Sequence, residues 1–185
     1  NCFLRLANKY PLADQLKHAH YQFSYQINVA NGQQFDIALL LDELRRIGHE
    51  VQDLVDPGWT MFWIFDGPAL APRSAGDATF GDVEFLECNL IKEDVVEMAS
   101  PDFWRVAPTG LATLVRPYRE DSRDFGPDYK AGTWLWPFVM AREIAEVIRH
   151  ARAFAERFEA AENVSFRLEW SGLQGRTLKD PENPL

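Results

Sequence analysis

The sequence predicts an α+β fold, a mainly antiparallel sheet of five to seven strands with two main helices packed on one face. Three observations predict it. Several segments alternate apolar and polar residues with a period of two, as half-buried strands do. Two others repeat apolar residues every three to four positions, as amphipathic helices do. Their order (strand, helix, several strands with a hairpin, long helix, strand) suits helices laid on one face of a sheet.

The elements follow in chain order. Pro11 to Ala19 reads as a short helical lead-in. Tyr21, Phe23, Tyr25, Ile27 and Val29 alternate with Gln22, Ser24, Gln26 and Asn28, which predicts a strand ended by the turn signal Asn31-Gly32. From Asp36 the period changes: Ile37, Leu40, Leu41, Leu44 and Ile47 form a helical stripe, with Gly48 placed as a C-terminal cap. Asp56-Pro57-Gly58 reads as a turn, Trp59 to Phe65 as an aromatic strand, and residues 66–82, rich in Gly and Pro, as a loop. Val83 to Ile91 is expected to be a strand. Asp102–Val106 and Leu111–Tyr118 flank Ala107-Pro108-Thr109-Gly110 as a hairpin. Residues 119–132 read as a surface connection. The clearest helix is expected from about Trp136 to Ala160, with Pro137 in its first turn. Its buried stripe reads Ala141, Ile144, Ala145, Ile148, Ala151, Phe154, Ala155 and Phe158, and its outer face carries Arg142/Glu146 and Arg152/Glu156. Val164, Phe166, Leu168 and Trp170 alternate with polar residues in a final strand. The expected organisation is a lead-in over 1–20, a single domain over 21–178 and a loose tail over 179–185.

Composition bounds the function. The 185 residues are 46% hydrophobic and 13% aromatic, enough to bury a core of roughly 70% of the unfolded surface. No apolar run reaches the ~20 residues that a bilayer-spanning helix needs, so no membrane partner is expected. A start at Asn1 rather than Met reads as a piece of a longer polypeptide. Cys2 and Cys88 cannot make a disulfide framework, and the expected address is the cytoplasm. The net charge of −9 argues against duplex nucleic-acid binding, which depends on neutralising phosphates with Lys and Arg.

Motifs that carry chemistry are missing. No Gly-x-Ser-x-Gly elbow, Walker loop, Gly-x-Gly-x-x-Gly turn, HExxH helix or calcium-loop spacing occurs, so no catalytic residue, metal ligand or cofactor is assigned. His18 and His20 lie on one side of an extended segment but lack further ligands in sequence. Cys88 in a strand reads as a small buried hydrophobe. The unusual local chemistry is Arg among aromatics: Phe103-Trp104-Arg105-Val106, Val115-Arg116-Pro117-Tyr118-Arg119 and Trp134-Leu135-Trp136. Trp104, Arg105, Arg116, Tyr118, Trp134 and Trp136 are therefore the candidate binding or interface residues, because exposed Trp, Tyr and Arg anchor interfaces.

Ile47 to Val55, Asp102 to Val106 with Leu114 to Asp121, and Gly132 to Leu135 leading into the long helix resemble the C-terminal region of prokaryotic Schlafen/AlbA-like DNA-binding proteins, often described as transcriptional regulators. The resemblance covers most of residues 10–176. It implies that nucleic acid is contacted only through a module N-terminal to this region, and it supplies no catalytic residue. The resulting expectation is a non-catalytic accessory domain of a larger regulatory or defence protein, acting in self-association, docking of another protein or ligand sensing. The alternative is a small-molecule or anion-binding, or catalytic, domain with a Trp/Arg-lined pocket.

Overall fold

A computed structural model describes residues 16, 19–52, 61–64, 71–77, 83–89, 102–122 and 125–180. Six strands form one sheet in the order β2-β3-β4-β5-β1-β7, with every neighbouring pair antiparallel. The strands are β1 (Tyr21–Val29), β2 (Arg73–Asp77), β3 (Val83–Asn89), β4 (Phe103–Val106), β5 (Leu111–Arg116) and β7 (Ala161–Trp170). Two short strands, β6 (Trp134–Leu135) and β8 (Thr177–Leu178), pair in parallel beside it. The helices are α1 (Ile37–Gln52), α2 (Arg119–Ser122) and α3 (Pro137–Ala155). The predicted class, a mainly antiparallel sheet with two main helices, is the observed one.

The period-two residues of β1 decide which face is covered. Tyr21, Phe23, Tyr25 and Ile27 are buried in one cluster with Leu40, Leu44 and Ile47 of α1 and with Val147, Ala151 and Phe154 of α3. Both helices thus lie on the same face. The alternate residues Gln22, Ser24, Gln26 and Asn28 look the other way and are half-buried. Trp104 and Val106 of β4, Ala112 and Leu114 of β5, and Leu86 and Cys88 of β3 extend the core across the sheet. The hairpin forms as expected, with Phe103 opposite Val115 and Val106 opposite Ala112.

Several expectations need correction. The long helix ends at Ala155 rather than near Ala160, with turns over 156–160, and the expected connection over 119–132 opens with α2, whose Glu120 is buried. Helix α1 runs through Gly48 to Gln52 instead of capping there, because Val51 is also buried and extends the stripe by one turn. Within the expected aromatic strand, Met61–Ile64 is a turn and irregular segment that tucks Met61 and Phe62 into the core; residues 59, 60 and 65 lie outside the described residues. The Gly- and Pro-rich stretch expected to be loop contains β2, held by pairing with β3. The buried side of α3 is turned from the expected stripe: Val139, Glu146, Val147, His150, Ala151 and Phe154 are buried, while Ala141, Ala145 and Ile148 are exposed. The lead-in, apart from Leu16 and Ala19, and the 56–58 turn lie outside the described residues.

Pro137 occupies the first turn of α3, where its missing N–H breaks no intrahelical bond. Arg142–Glu146 and Arg152–Glu156 form the expected i,i+4 pairs at 3.6 and 2.9 Å, although Glu146 is itself buried.

Candidate functional site

The Arg-aromatic residues that the sequence singled out are mostly interior. Trp104 is fully buried, donates Nε1–H to the Trp63 carbonyl at 2.9 Å and meets Phe62 edge-on. Trp134 and Trp136 pack with Val139 in a second small core, supported by Phe125 and Tyr129. Tyr118 is buried, and its hydroxyl donates to the Ser171 carbonyl at 2.8 Å. Arg116 lies under the sheet end, bound to Asp102 Oδ2 at 2.5 Å and to the Met61 carbonyl at 3.0 Å. Arg105 is half-buried, salt-bridged to Glu87 across β3–β4 and laid over the Phe85 and Phe103 rings. The expected exposed Arg-aromatic face is therefore corrected. These side chains join strand ends and the β6/β8 corner to the core.

The structure gathers ionisable groups that the sequence did not. Around Arg116 stand Asp102 at the start of β4, Tyr21 at the start of β1, and Glu143 on α3, which accepts a hydrogen bond from the Tyr21 hydroxyl. Burial pushes the Glu143 carboxyl up to about 7, against the opposing pull of Arg116. Burial also raises Glu146, and Glu120, which accepts the Trp136 backbone N–H at 2.6 Å. Burial disfavours the charge on Arg116, yet Asp102 and the neighbouring groups hold it protonated. Further along α3, His150 bonds the Tyr25 hydroxyl through Nδ1 at 2.8 Å and packs on Phe62 at 4.3 Å. Burial pushes its imidazole down to about 3, so it is neutral. Perturbed groups of this kind occur both in active sites and in structural ion-pair networks. Here Arg116 with Asp102, Tyr21 with Glu143, Glu120 with Trp136 and His150 with Tyr25 each join separate segments, Glu146 pairs with Arg142 on its own helix, and the two cavities described below are lined by none of them. Among the described residues, no group of three or more His, Cys, Asp or Glu is placed to hold a metal ion. His20 Nδ1 instead contacts the Leu16 carbonyl at 2.5 Å and Ser171 Oγ at 3.0 Å.

Among the described residues, β2 and β7 are the two end strands of the six-stranded sheet, and β7 is the longer. It ends the sheet order, and among the described residues no strand pairs with its second edge. The bonding direction of each residue follows from the neighbouring ladders. Ile27 N–H bonds the Gly110 carbonyl toward β5, whereas Ser171 N–H bonds the His20 carbonyl across the β1–β7 pair. Alternation in an antiparallel ladder then directs Asn163, Ser165, Arg167 and Glu169 at β1. Val164, Phe166, Leu168 and Trp170 present their N–H and C=O groups to the open edge. A register shift near the start of β7 is the one irregularity in its pairing with β1. From Asn163 to Trp170 the strand carries no Pro and no Lys, and its only charged residues are Arg167 and Glu169.

The side chains along this edge are open as well. Phe166 is 42% exposed and Ile148 of α3 is 47% exposed. Between α3 and β7 runs a groove of about 440 Å³ lined by Ile148, Arg152, Ala155, Phe158, Val164 and Phe166. A second cavity of about 280 Å³, polar and near the β1 turn, is lined by Gln26, Asn28, Gln33, Thr109 and Glu162 among others. On the opposite face, Arg167 and Glu169 are exposed and bridge each other at 2.6 Å. Sequence reading found β7 as a strand but not as an edge, because neighbours in a sheet are set by pairing across the chain.

No family model, no curated protein and no solved structure matches this chain.

Proposed function

We propose that this chain is a non-catalytic docking domain that joins protein chains by adding a strand to the open edge of β7. The observation that carries this reading is the edge of β7, unpaired among the described residues, with outward N–H and C=O groups beside an apolar groove. Strand addition takes its affinity from main-chain hydrogen bonds and its selectivity from pockets for alternate side chains. The groove at Ile148 and Phe166 provides the second. In the larger setting suggested by the sequence resemblance, the domain is the accessory part of a regulatory protein whose nucleic-acid-binding module lies elsewhere. The charge pattern supports that division. On α3 and the turn after it, Arg142, Arg152 and Arg157 are each paired with carboxylates, so the helix offers no concentrated basic patch. Nor does an anion pocket gain support, since Arg105 and Arg116 are bound to Glu87 and Asp102. Among the described residues, no helix is long and apolar enough to cross a membrane.

Amide hydrogen exchange tests the reading. It is followed residue by residue at micromolar and millimolar protein, with and without a ten-residue peptide of alternating Thr and Val. Strand addition slows Phe166, Leu168 and Trp170 in at least one of these conditions, while the inward-facing amides of Ser165 and Arg167 stay as protected as in the dilute protein. Free exchange of the three outward amides in every condition would sink it.

A further inference from the structure

Resting on that edge-docking reading, we infer that the strand received by β7 is the β7 strand of a second copy of this chain, antiparallel to the first, with the two-fold axis at Leu168. A two-fold edge pairing must set outward-facing residues opposite outward-facing residues, so the axis passes through a residue, and within residues 164–170 the axes that keep at least three outward residues paired are Phe166, Arg167 and Leu168. These three registers give ladders of similar length, so the side chains decide among them.

With the axis at Arg167, two guanidinium groups stand directly opposite, which is destabilising. With the axis at Phe166, Arg167 faces Ser165 of the second copy and Glu169 faces Asn163 of the second copy, so neither charge meets its opposite. With the axis at Leu168, Arg167 of each copy faces Glu169 of the other. The stretch Phe166-Arg167-Leu168-Glu169-Trp170 is then its own complement: an aromatic, a cation, an apolar centre, an anion and an aromatic. On the helix-covered face, Phe166 stands opposite Trp170 of the second copy, an aromatic cross-strand pair of the kind that stabilises sheets.

The isolated chain already has the parts in place. Arg167 and Glu169 are exposed at 74% and 47% of their side chains and hold each other at 2.6 Å along one strand, so pairing exchanges a local contact for two cross-copy ones. The exposed Phe166 and the groove beside it would be covered at the same step. A ladder this short makes an interface at the low end of the size range, reversible and concentration-dependent.

Charge reversal tests this directly, with sedimentation and light scattering of the whole chain across a concentration series. Arg167→Glu and Glu169→Arg each place like charges opposite in the homodimer, and each is expected to weaken self-association about tenfold. Mixed in equal amounts, the two variants set Glu opposite Arg at both positions, and association is expected to return to within about threefold of the unaltered chain. Both positions are exposed, and unchanged circular dichroism confirms that the variants fold. A mixture as weak as the single variants, or an unaltered chain that stays monomeric at millimolar concentration, overturns the inference. The wider reading fails separately: if the outward amides are protected only by the Thr/Val peptide, edge docking stands and the second copy falls.

Discussion

A single guanidinium illustrates how this fold uses charge. Arg116 and Asp102 are both buried at the sheet end and bonded at 2.5 Å, while Asp102 Oδ1 finds no hydrogen-bond partner among the described residues. A buried pair whose lone pairs are incompletely satisfied is costly to assemble but costlier to break. Arg116→Met is therefore expected to destabilise the domain by about 3–5 kcal/mol, by leaving Asp102 buried and unpaired. Adding Asp102→Leu should recover part of that loss in urea unfolding. A double variant less stable than Arg116→Met would show that the carboxylate was not the problem. Trp104 behaves as core: with no exposed surface and its Nε1–H bonded to Trp63, Trp104→Ala should cost about 3–5 kcal/mol and lower the unfolding midpoint. An unchanged midpoint would contradict the burial.

Elements are fixed by a few such residues. The β4–β5 turn closes through Gly110, whose φ of +84° lies in the left-handed region and whose N–H bonds the Ala107 carbonyl at 3.0 Å. A Cβ there would approach Ile27 Cβ to 2.9 Å. Gly110→Ala thus combines backbone strain with a clash in the core, and a loss of about 1–3 kcal/mol is expected from thermal unfolding. A variant as stable as the original would mean that the turn can relax away from β1. Helix α3 shows the complementary case. Its inward side includes His150, which bonds the Tyr25 hydroxyl, and Glu146, which pairs with Arg142 one turn back on the same helix. The rotation leaves Ile148 exposed beside β7, and this is what gives the edge its groove.

At the scale of the molecule, these buried groups set the response to pH. Glu143 titrates near 7 in the folded chain against an ordinary 4.5, so the folded state holds the extra proton between those values. Stability from this group is full below about pH 4.5 and is lost as pH rises to about 7. Glu120 and Glu146, also raised by burial, act in the same direction. His150 works oppositely: lowered from 6.5 to about 3, it costs stability as pH falls through that window. The two slopes offset each other between pH 4.5 and 6.5, and the decline toward neutrality belongs to the carboxylates. In thermal unfolding followed by circular dichroism, Glu143→Gln should flatten the decline between about pH 6.5 and 7.5, leaving a remainder from the other two. A variant with the full original slope would remove Glu143 as its cause.

Much of the fold was legible in the chain because its signals are local. The alternation in residues 21–29 and 164–170 and the stripe from Ile37 to Ile47 reflect the geometry of one element facing one core, and the turn at 107–110 needs no distant partner. Strand β2 was hidden, since Arg73-Ser-Ala-Gly-Asp77 has little strand preference and exists by pairing with β3. The site was hidden for the same reason. The residues that look most like an interface were drawn inward by distant segments: Trp104 bonds Trp63, Arg116 bonds Asp102 and Met61, and Trp134 and Trp136 pack with Phe125, Tyr129 and Val139. Composition and period determined the class of fold, strands β1, β3, β4, β5 and β7, and the two long helices. Tertiary structure decided which strand is left at the edge and which charges are buried, because both depend on what another part of the chain brings alongside.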